Sequence, residues 1–370
     1  MSRRQPQQAM TTSNSNSLIR EIAELSTMTA VNNFPFDIRE EEETEHREQR
    51  KYFHGADYVN IRIGPKNFVM TSLYKDDAAN IYNMPLRPDD IFVVSFPRSG
   101  TTWTQELVWL LASDLDYAKA AANPLKSRYI FLEFSMFMSK EVQDQARSDN
   151  VGKEEELRFL DMVCTPGSKL AAQTPSPRFF KTHLPMSLLP ATLLDTAKVV
   201  YVARDPRDVA VSYFHLNRLY KMVNFTGDFK TYWNFFIKDM LRWTPFFEHL
   251  KEAWQMRHHP NMLFLFYEEL LKNLESTVKR VADFLGKQLT PEQTNALCSH
   301  LSFENFKNNQ SVNIDEVRRL GLLAENEKFV RKGKSGGWKE YFDEDMARKA
   351  ELWIAKNLED TDLRFPSKNS

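Results

Sequence analysis

The sequence predicts an α/β fold in which a central, mostly parallel sheet is flanked by helices. Three short, almost wholly apolar runs are typical of strands buried on both faces, because they are rich in β-branched or aromatic residues: Ile91–Val94, Lys198–Ala203 and Met262–Phe266. Residues with helical spacing of apolar side chains follow each run. Strands that alternate with helices in this way are typical of a parallel sheet with helices on its faces.

We expect residues 34–366 to form one domain and residues 1–33 to form a disordered tail. The tail is rich in Ser, Thr, Asn and Gln and contains few large apolar residues, so it cannot bury enough surface to fold. The candidate binding groups described below run from Arg98 to Gly333, which indicates one domain rather than two.

Composition and charge exclude several classes of protein. The 370 residues carry a formal net charge of −1, so no overall field recruits nucleic acid or an acidic membrane surface. No apolar run approaches the ~20 residues of a membrane-spanning helix, and the N-terminus has no apolar signal core. The only two cysteines, Cys164 and Cys298, lack metal-ligand spacing, which excludes a disulfide framework and indicates a reducing, cytoplasmic compartment.

Other segments carry weaker structural signals. Residues 40–50 form a charge run, typical of a solvated helix face or a linker. Residues 53–73 alternate loosely between apolar and polar side chains and predict a small hairpin. Residues 228–258 predict an aromatic-rich helix, and residues 290–293 (TPEQ) predict a capping box that starts another helix.

The loop that follows the first core strand is typical of a phosphate-binding corner. Residues 96–100 break the strand and a helix starts at Thr101, so unpaired backbone N–H groups at the helix start face the loop. Gly100 lets the backbone approach a ligand closely, and Arg98 adds a permanent cation with a planar fork. Hydroxyl donors come from Ser99, Thr101 and Thr102. The loop alone leaves open the alternative of a strand-to-helix turn without a ligand.

This loop differs from the common nucleotide-binding loop, G-x-x-x-x-G-K-S/T. No glycine stands at its start, and the basic residue Arg98 comes before Gly100 rather than after it. The sequence therefore points to an anion other than the γ-phosphate of ATP.

A second strand-to-helix junction and a basic segment provide further candidate anion ligands. Arg204 follows the strand that ends at Ala203, and Ser212 lies about two turns into the next helix. An anion is the expected ligand at such a helix start. Residues 331–337 contain three cations and three glycines, which favours an anion-binding lid over a solvated basic loop.

Two titratable residues, Lys181 and His183, end a short strand predicted over residues 178–183. A lone histidine is more often a hydrogen-bonded core residue than a catalytic one. The strand by itself does not distinguish these two interpretations of His183. The aromatic and Met-rich stretch FLEFSMFM, residues 131–138, fits ordinary core packing and an adaptable apolar pocket equally well.

Five motifs resemble those of the cytosolic sulfotransferases, and particularly the insect-type members. In chain order they are FPRSGTTW, KTHLP, YVARDPRDVAVSY, LFYEEL and RKGKSGGWK. They occur in that family's order and at its spacing, and the similarity covers roughly residues 34–366. Any one of these motifs is a weak signal, but five in order make the assignment specific.

The resemblance implies 3′-phosphoadenosine 5′-phosphosulfate (PAPS) as the co-substrate and a small molecule as the acceptor. It implies that Arg98 helps to hold the phosphosulfate, that Trp103 stacks on the adenine, and that His183 is the catalytic base with Lys181 beside the transferring group. The further co-substrate ligands that it implies are Ser99, Gly100, Thr101, Thr102, Arg204, Ser212, Tyr267, Phe303, Arg331, Lys332 and Gly333.

The same resemblance implies that Phe131 and Phe134 form the gate to the acceptor pocket, which favours a functional interpretation of FLEFSMFM. Three departures from the family pattern are present, one of which is Leu301 at a place where the family often has threonine. Arg98 stands where the family usually has lysine, which leaves open how the leaving group is stabilised. The dimer motif K-x-x-x-T-V-x-x-x-E is not matched in residues 339–348, so the resemblance does not predict a homodimer.

The expected chemistry is in-line transfer of a sulfuryl group to a hydroxyl or amine. By analogy with phosphoryl transfer, it needs positioning and cationic stabilisation, which Arg98 and Lys181 supply without a metal ion. His183 can take the proton of a phenol, whose pKa is about 10. The aromatic and Met-rich acceptor region predicts a flat or greasy acceptor, such as a phenol, a steroid-like alcohol or a retinoid. In some retinoid-handling relatives the net reaction is dehydration.

Two other functions are alternatives from the sequence. A non-catalytic PAPS or small-molecule binding protein would retain nucleotide affinity without turnover, and Arg98 makes this conceivable. A nucleotide kinase would need Mg²⁺ and ATP, and the missing G-x-x-x-x-G-K-S/T motif argues against it.

Overall fold

A small antiparallel sheet lies at the start of the folded chain. The structure is a computed structural model that describes residues 34–55, 59–327, 329 and 333–366, so the predicted tail, residues 1–33, lies outside the described residues. The sheet has the order β1 (Ile38–Glu40), β2 (Asn60–Ile63) and β3 (Phe68–Thr71). The predicted hairpin over residues 53–73 corresponds to β2 and β3, whose register pairs Ile61 with Met70.

A five-stranded parallel sheet forms the centre of the fold and confirms the predicted fold class. Its strands are β4 (Ile91–Val94), β5 (Ile130–Phe131), β6 (Phe179–Thr182), β7 (Lys198–Ala203) and β8 (Met262–Phe266). Their spatial order is β5-β6-β4-β7-β8, so β4 is the middle strand. The two-residue edge strand β5 was not predicted, because its two residues are too short a run to show a period.

Alternate residues of the central strands pack into two different cores, as the two-residue period of a strand requires. Phe92 of β4 stacks on Phe180 of β6 with ring centroids 4.3 Å apart, and both belong to the larger core. Val93 of β4 and Val200 of β7 face the other side and belong to the second core. Both faces are therefore covered, which explains why the strands are apolar along their whole length.

Helices surround the central sheet. In chain order they are α1 (Glu43–Arg50), α2 (Ala78–Tyr82), α3 (Thr101–Ala112), α4 (Tyr117–Ala122), α5 (Leu125–Arg128), α6 (Lys140–Asp149), α7 (Glu154–Cys164), α8 (Gly167–Gln173), α9 (Leu193–Thr196), α10 (Pro206–Leu219), α11 (Phe229–Ile237), α12 (Phe246–Gln255), α13 (Tyr267–Lys272), α14 (Leu274–Phe284), α15 (Pro291–Leu301), α16 (Phe303–Asn308), α17 (Asp315–Arg319) and α18 (Glu344–Asn357). Single turns of 3₁₀-helix occupy Ser72–Asp76, Phe134–Phe137, Met186–Leu188, Gln310–Val312 and Gly337–Glu340.

Two predicted helix features have different outcomes. The capping box is confirmed, because the Thr290 side chain accepts from the Gln293 N–H while the Gln293 side chain accepts from the Thr290 N–H. The single helix predicted over residues 228–258 is wrong, because α11 and α12 are separate helices. Pro245 stands directly before α12, and proline cannot continue a helix from the preceding residues. Among the described residues, no helix is both long enough and apolar enough to cross a lipid bilayer.

A buried ion pair holds the amino-terminal edge of the central sheet together. Arg178, just before β6, donates to Asp90, just before β4, through Nε at 2.7 Å and Nη2 at 2.5 Å. Both side chains are nearly inaccessible, 3% and 0% exposed. Arg178 also donates to the carbonyl oxygens of Ala171 and Pro85, so each of its three guanidinium nitrogen atoms makes at least one hydrogen bond.

We predict that Asp90→Ala lowers the free energy of unfolding by about 3–5 kcal/mol, because it leaves the Arg178 charge buried without its partner. Urea denaturation measures this change. Glu43→Ala is the matched control: it breaks an ion pair with Arg47 on the exposed face of α1, and the expected loss is at most about 1 kcal/mol. Equal losses in the two variants would contradict the assignment of Asp90 as a core counter-ion.

Candidate active site

One cavity of about 470 Å³ lies at the carboxyl edge of the central sheet. The loops that follow β4, β6 and β7 open into it, as parallel sheets of this type favour. Of the residues predicted to bind the co-substrate or the acceptor, the cavity is lined by Arg98, Gly100, Thr101, Thr102, Trp103, Phe131, Phe134, Lys181, His183, Arg204, Ser212, Tyr267, Phe303 and Gly333. Ser99 is buried within the same loop. Arg331 and Lys332 lie outside the described residues.

The loop between β4 and α3 has the backbone of an anion-binding corner. Arg98 has a φ of 71° and Gly100 a φ of 104°, so the chain turns sharply before the first turn of α3. Successive N–H groups in such a turn, together with those of a helix start, point toward one spot. The Thr101 hydroxyl lies 2.6 Å from the Ser95 hydroxyl, which links the start of α3 to the end of β4.

Gly100 is required by its surroundings as well as by its φ. A Cβ atom at this position would lie 2.6 Å from Cδ2 of the Tyr267 ring, closer than real Cβ contacts. The Tyr267 ring also meets the edge of Trp103, with ring centroids 6.0 Å apart. The loop, the first helix after β4 and the residue that follows β8 therefore form one continuous wall of the cavity.

The two predicted anion-binding corners are joined directly. Nε of Arg98 donates to Oγ of Ser212 on α10 over 2.9 Å. Nη1 of Arg204, which follows β7, donates to the backbone carbonyl of Arg98 over 3.1 Å. The Arg204 guanidinium also lies over the Tyr267 ring, 4.3 Å from its centroid. The corners therefore open into one cavity rather than two separate clefts.

The described part of the C-terminal basic segment closes one side of this cavity. Gly333 has a φ of 57°, and a Cβ atom there would lie 2.0 Å from the ring of Phe303. The Lys334 carbonyl accepts from Nη2 of Arg204 at 3.2 Å. Asp208, in the first turn of α10, accepts from the backbone N–H of Gly336 at 2.6 Å. Lys334 is one of the three cations that the sequence analysis counted in residues 331–337. The sequence did not single out Asp208, because it resembles an ordinary charge in the first turn of a helix.

His183 has a defined tautomer at the end of β6. Its Nδ1 lies 2.8 Å from the carbonyl oxygen of Ser95, and a carbonyl can only accept, so Nδ1 carries the proton. Nε2 is then the basic nitrogen. The His183 ring packs edge-on against Phe131 and Trp243, with centroid distances of 5.4 and 5.6 Å. Burial, followed by the charge of Lys181, lowers the pKa of His183 well below its usual range, so the imidazole is neutral at neutral pH.

Lys181 and Phe131 lie side by side at the junction between the polar and apolar parts of the cavity. The Lys181 ammonium lies over the Phe131 ring, 3.8 Å from its centroid. Burial lowers the pKa of Lys181 to about 8; the Glu133 carboxylate opposes this shift, and the Arg98 charge adds to it. Lys181 is therefore partly deprotonated at a pH where an exposed lysine is fully charged.

The apolar part of the cavity is built from more segments than the sequence indicated. Phe131 and Phe134, the two predicted gate residues, contact each other with ring centroids 5.5 Å apart. Trp243, which contacts Phe137 at 5.2 Å, comes from the segment between α11 and α12. Residues of α7 also line the cavity: Phe159, Met162 and Val163. No local signal identified the Trp243 and α7 contributions, because apolar helix residues look the same whether they pack on a core or on a ligand.

Three buried polar side-chain atoms that belong to the predicted co-substrate residues have no hydrogen-bond partner within the described part of the chain. They are Oγ of Ser99, Nε1 of Trp103 and Nε of Arg204. Buried polar groups are normally satisfied, so these atoms are suited to a polar, anionic ligand in the cavity. The described residues contain no group of three or more His, Cys, Asp or Glu side chains arranged to hold a metal ion.

Known proteins are similar to this chain over most of its length. Residues 88–362 match the family model of the sulfotransferase domain. The luciferin sulfotransferase of Photinus pyralis is 34% identical over 310 residues, which cover 80% of this chain and 79% of that protein. Sulfotransferase 1A1 of Rattus norvegicus is 29% identical over 301 residues, which cover 81% of this chain and 95% of that protein.

Two solved structures of retinol dehydratase are also similar to it. One is a complex with androsterone and the inactive cofactor PAP. Its sequence is 49% identical, its TM-score is 0.85, and the match covers 90% of this chain and 99% of the retinol dehydratase chain. The other is a complex with retinol and PAP; it is 50% identical, with the same TM-score and coverage. The family model spans most of the chain, and the fold and the order of the motifs agree with it, so the protein belongs to the sulfotransferase family.

Proposed function

We propose that the protein transfers the sulfuryl group of PAPS to a hydroxyl or amine of a small hydrophobic acceptor, with His183 as the base. The observation that carries this proposal is the link from Arg98 to Ser212 and from Arg204 to Arg98, which brings two anion-binding corners into one cavity. The same cavity contains His183 and an apolar wall. A sulfuryl donor with negative charge at both ends and a hydrophobic acceptor can therefore bind next to each other in this cavity.

The proposed donor site divides between the two corners. PAPS supplies the sulfuryl group when it is bound, and the loop from Arg98 to Thr102 would hold its phosphosulfate end. Arg204 and Ser212 would hold the 3′-phosphate, with Gly333, Arg331 and Lys332. Trp103, Tyr267 and Phe303 would contact the adenine. The unpartnered Oγ of Ser99 and Nε of Arg204 support this assignment, because both are donors that an anion can satisfy.

His183 is suited to remove a proton from the acceptor. The hydrogen bond from Nδ1 to Ser95 holds the ring in the tautomer that leaves Nε2 free to accept a proton. The pKa of His183 is lowered, so the base is in its neutral, active form at neutral pH. Lys181 and Arg98 would stabilise the negative charge that spreads over the transferring group and the leaving phosphate.

The apolar wall supports a hydrophobic acceptor. The related retinol dehydratase structures contain retinol or androsterone, and the Phe131, Phe134 and Trp243 rings here offer flat surfaces to a ligand of that kind. We propose a phenol, a steroid-like alcohol or a retinoid as the acceptor. We also propose a cytoplasmic location, which two free cysteines, Cys164 and Cys298, support.

We predict that the protein converts labelled PAPS and one or more acceptors of this class into product when EDTA is present. The measurement is transfer of label to a panel of phenols, steroid alcohols, retinoids and amines. Mass analysis of the product distinguishes a sulfate ester from a dehydrated acceptor. Tight nucleotide binding with no product from any acceptor would instead identify a non-catalytic binding protein, and Mg²⁺-dependent transfer from ATP would identify a kinase.

His183→Ala is predicted to lower kcat by about 10²–10⁴-fold, because it removes the general base. The affinity for PAP, measured by calorimetry, is expected to stay within about twofold, because the proposed donor ligands are unchanged. His258→Ala, at an exposed position, serves as the matched control and is expected to keep wild-type kcat. Near-normal turnover in His183→Ala would exclude His183 as the base.

The kcat/KM for PAPS, which reports groups of the free enzyme, is predicted to fall as the pH rises through the lowered pKa of Lys181, about 8. The sign follows from the charge: the ammonium form is the one that stabilises the transferring group, and it is lost on the alkaline side. Lys181→Arg keeps its charge throughout this range and is expected to lose this alkaline limb. A flat wild-type profile up to the usual lysine pKa of 10.5 would contradict the assigned role.

A further inference from the structure

Glu133 is a fully buried carboxylate that the proposed chemistry does not use. It is 0% exposed and stands between the two gate residues Phe131 and Phe134. Burying a carboxylate is costly unless its oxygen atoms accept hydrogen bonds and a cation lies nearby. The position of its partners therefore indicates what this residue does.

Both oxygens of Glu133 accept from the end of β6, which carries the proposed base. Oε1 accepts from the backbone N–H of His183, and Oε2 accepts from the Thr182 hydroxyl over 2.8 Å. The Thr182 hydroxyl oxygen in turn accepts from the Leu184 N–H over 3.0 Å. One carboxylate thus holds the backbone on both sides of the His183 Cα.

The backbone pairing between β5 and β6 next to Glu133 spans only two residue pairs, so the hydrogen bonds of the Glu133 side chain are important for joining the two segments. Strand β5 pairs with β6 only at Ile130 with Phe180 and at Phe131 with Lys181, and one further bond joins the Leu132 N–H to the Lys181 carbonyl. Glu133 extends this pairing by two bonds at the point where the acceptor gate meets the strand end. From the opposite side, Nε2 of His249 donates to the His183 carbonyl over 2.9 Å.

The charge of Glu133 acts on Lys181 and on the buried Tyr74 hydroxyl. Lys181, His183 and the buried Tyr74 hydroxyl are the titratable groups near it, and Arg98 lies beyond Lys181. Burial raises the pKa of Glu133, and its hydrogen bonds and Lys181 oppose this rise. The carboxylate in turn opposes the loss of the Lys181 proton. Each charge stabilises the other in a place where neither is well solvated.

We propose that Glu133 is a positioning residue that fixes the end of β6, which carries Lys181 and His183, relative to the Phe131–Phe134 gate. This inference rests on the proposed function, because it assigns Glu133 a role in presenting the base and the cation of that reaction. Glu133 is not among the residues that line the cavity, so we assign it a positioning role rather than a catalytic one.

Glu133→Gln tests the charge with little change in volume. We expect kcat to fall by about 10- to 100-fold, because small displacements of reacting groups have effects of this size. We also expect the alkaline limb of kcat/KM for PAPS to move to lower pH, because Lys181 loses the carboxylate that retains its proton. PAP affinity is expected to stay within about twofold. Glu133→Asp, which keeps the charge, is expected to keep the alkaline limb at its wild-type pH.

Asp90→Asn is the matched control, because Asp90 is equally buried but lies at the opposite edge of the sheet. It is expected to lower stability while leaving the pH profile unchanged. Thr182→Val removes one of the two anchors without removing the charge, so it tests positioning even if Glu133→Gln does not fold. Its expected result is a several-fold lower kcat with an unshifted alkaline limb.

The inference is overturned if Glu133→Gln folds and keeps both kcat within about twofold and the wild-type pH profile, or if Thr182→Val leaves kcat unchanged. Failure of the proposed function has a different signature, because the wild-type protein itself would then give no product. The effects of Glu133 are measured only as ratios to wild-type turnover, so the two failures are distinguishable.

Discussion

The hydrogen bond from Arg98 to Ser212, together with that from Arg204 to the Arg98 carbonyl, determines how the cavity is assembled. Each bond joins the loop after β4 to the elements around β7, which is the neighbouring strand in the sheet. Parallel strands end at the same edge, so two strand-to-helix corners necessarily lie side by side there. Arg98 and Arg204 join the two corners into a single site, because their hydrogen bonds connect one corner to the other.

The arginine that departs from the family pattern takes part in this assembly. A lysine at position 98 has only one donor group, whereas Arg98 reaches Ser212 through Nε and the Phe329 carbonyl through Nη2, 2.8 Å away. Its guanidinium also lies 4.8 Å from the centre of the Phe329 ring. Arg98 thus contacts both the second corner and the C-terminal segment through two different nitrogen atoms of one rigid, planar group.

Low polarity around the strand end governs the electrostatics of the site. His183 is buried against the Phe131 and Trp243 rings, and burial lowers its pKa, so the imidazole stays neutral. Burial also lowers the pKa of Lys181 to about 8, and the charge of Glu133 opposes this shift. The same burial makes each charge more effective on a nearby group than it is in water. The proposed acceptor gate and the ionisable groups therefore share one environment, because the rings proposed to receive an apolar acceptor pack against the same buried strand end.

Much of the fold was predictable because its signals are local. The apolar runs of β4, β7 and β8 and the capping box at Thr290 depend on residues close in sequence, and the structure agrees with each of them. The aromatic stretch at residues 228–258 was misjudged, because its apolar pattern is continuous while the helix is interrupted between Ile237 and Phe246. The roles of the individual site residues stay predictions, and Arg331 and Lys332 lie outside the described residues.

The sequence by itself determined the fold class, the family and the residue types of the two anion-binding corners, because strand periodicity, loop chemistry and motif order are properties of short segments. Only the tertiary structure decided that the corners share one cavity, that Nε2 of His183 is the basic nitrogen, and that Glu133 holds the end of β6. These features join residues far apart in the chain, and Arg98 and Ser212 are separated by 114 positions. A one-dimensional pattern does not specify such pairs, because they arise only when the strands have packed side by side.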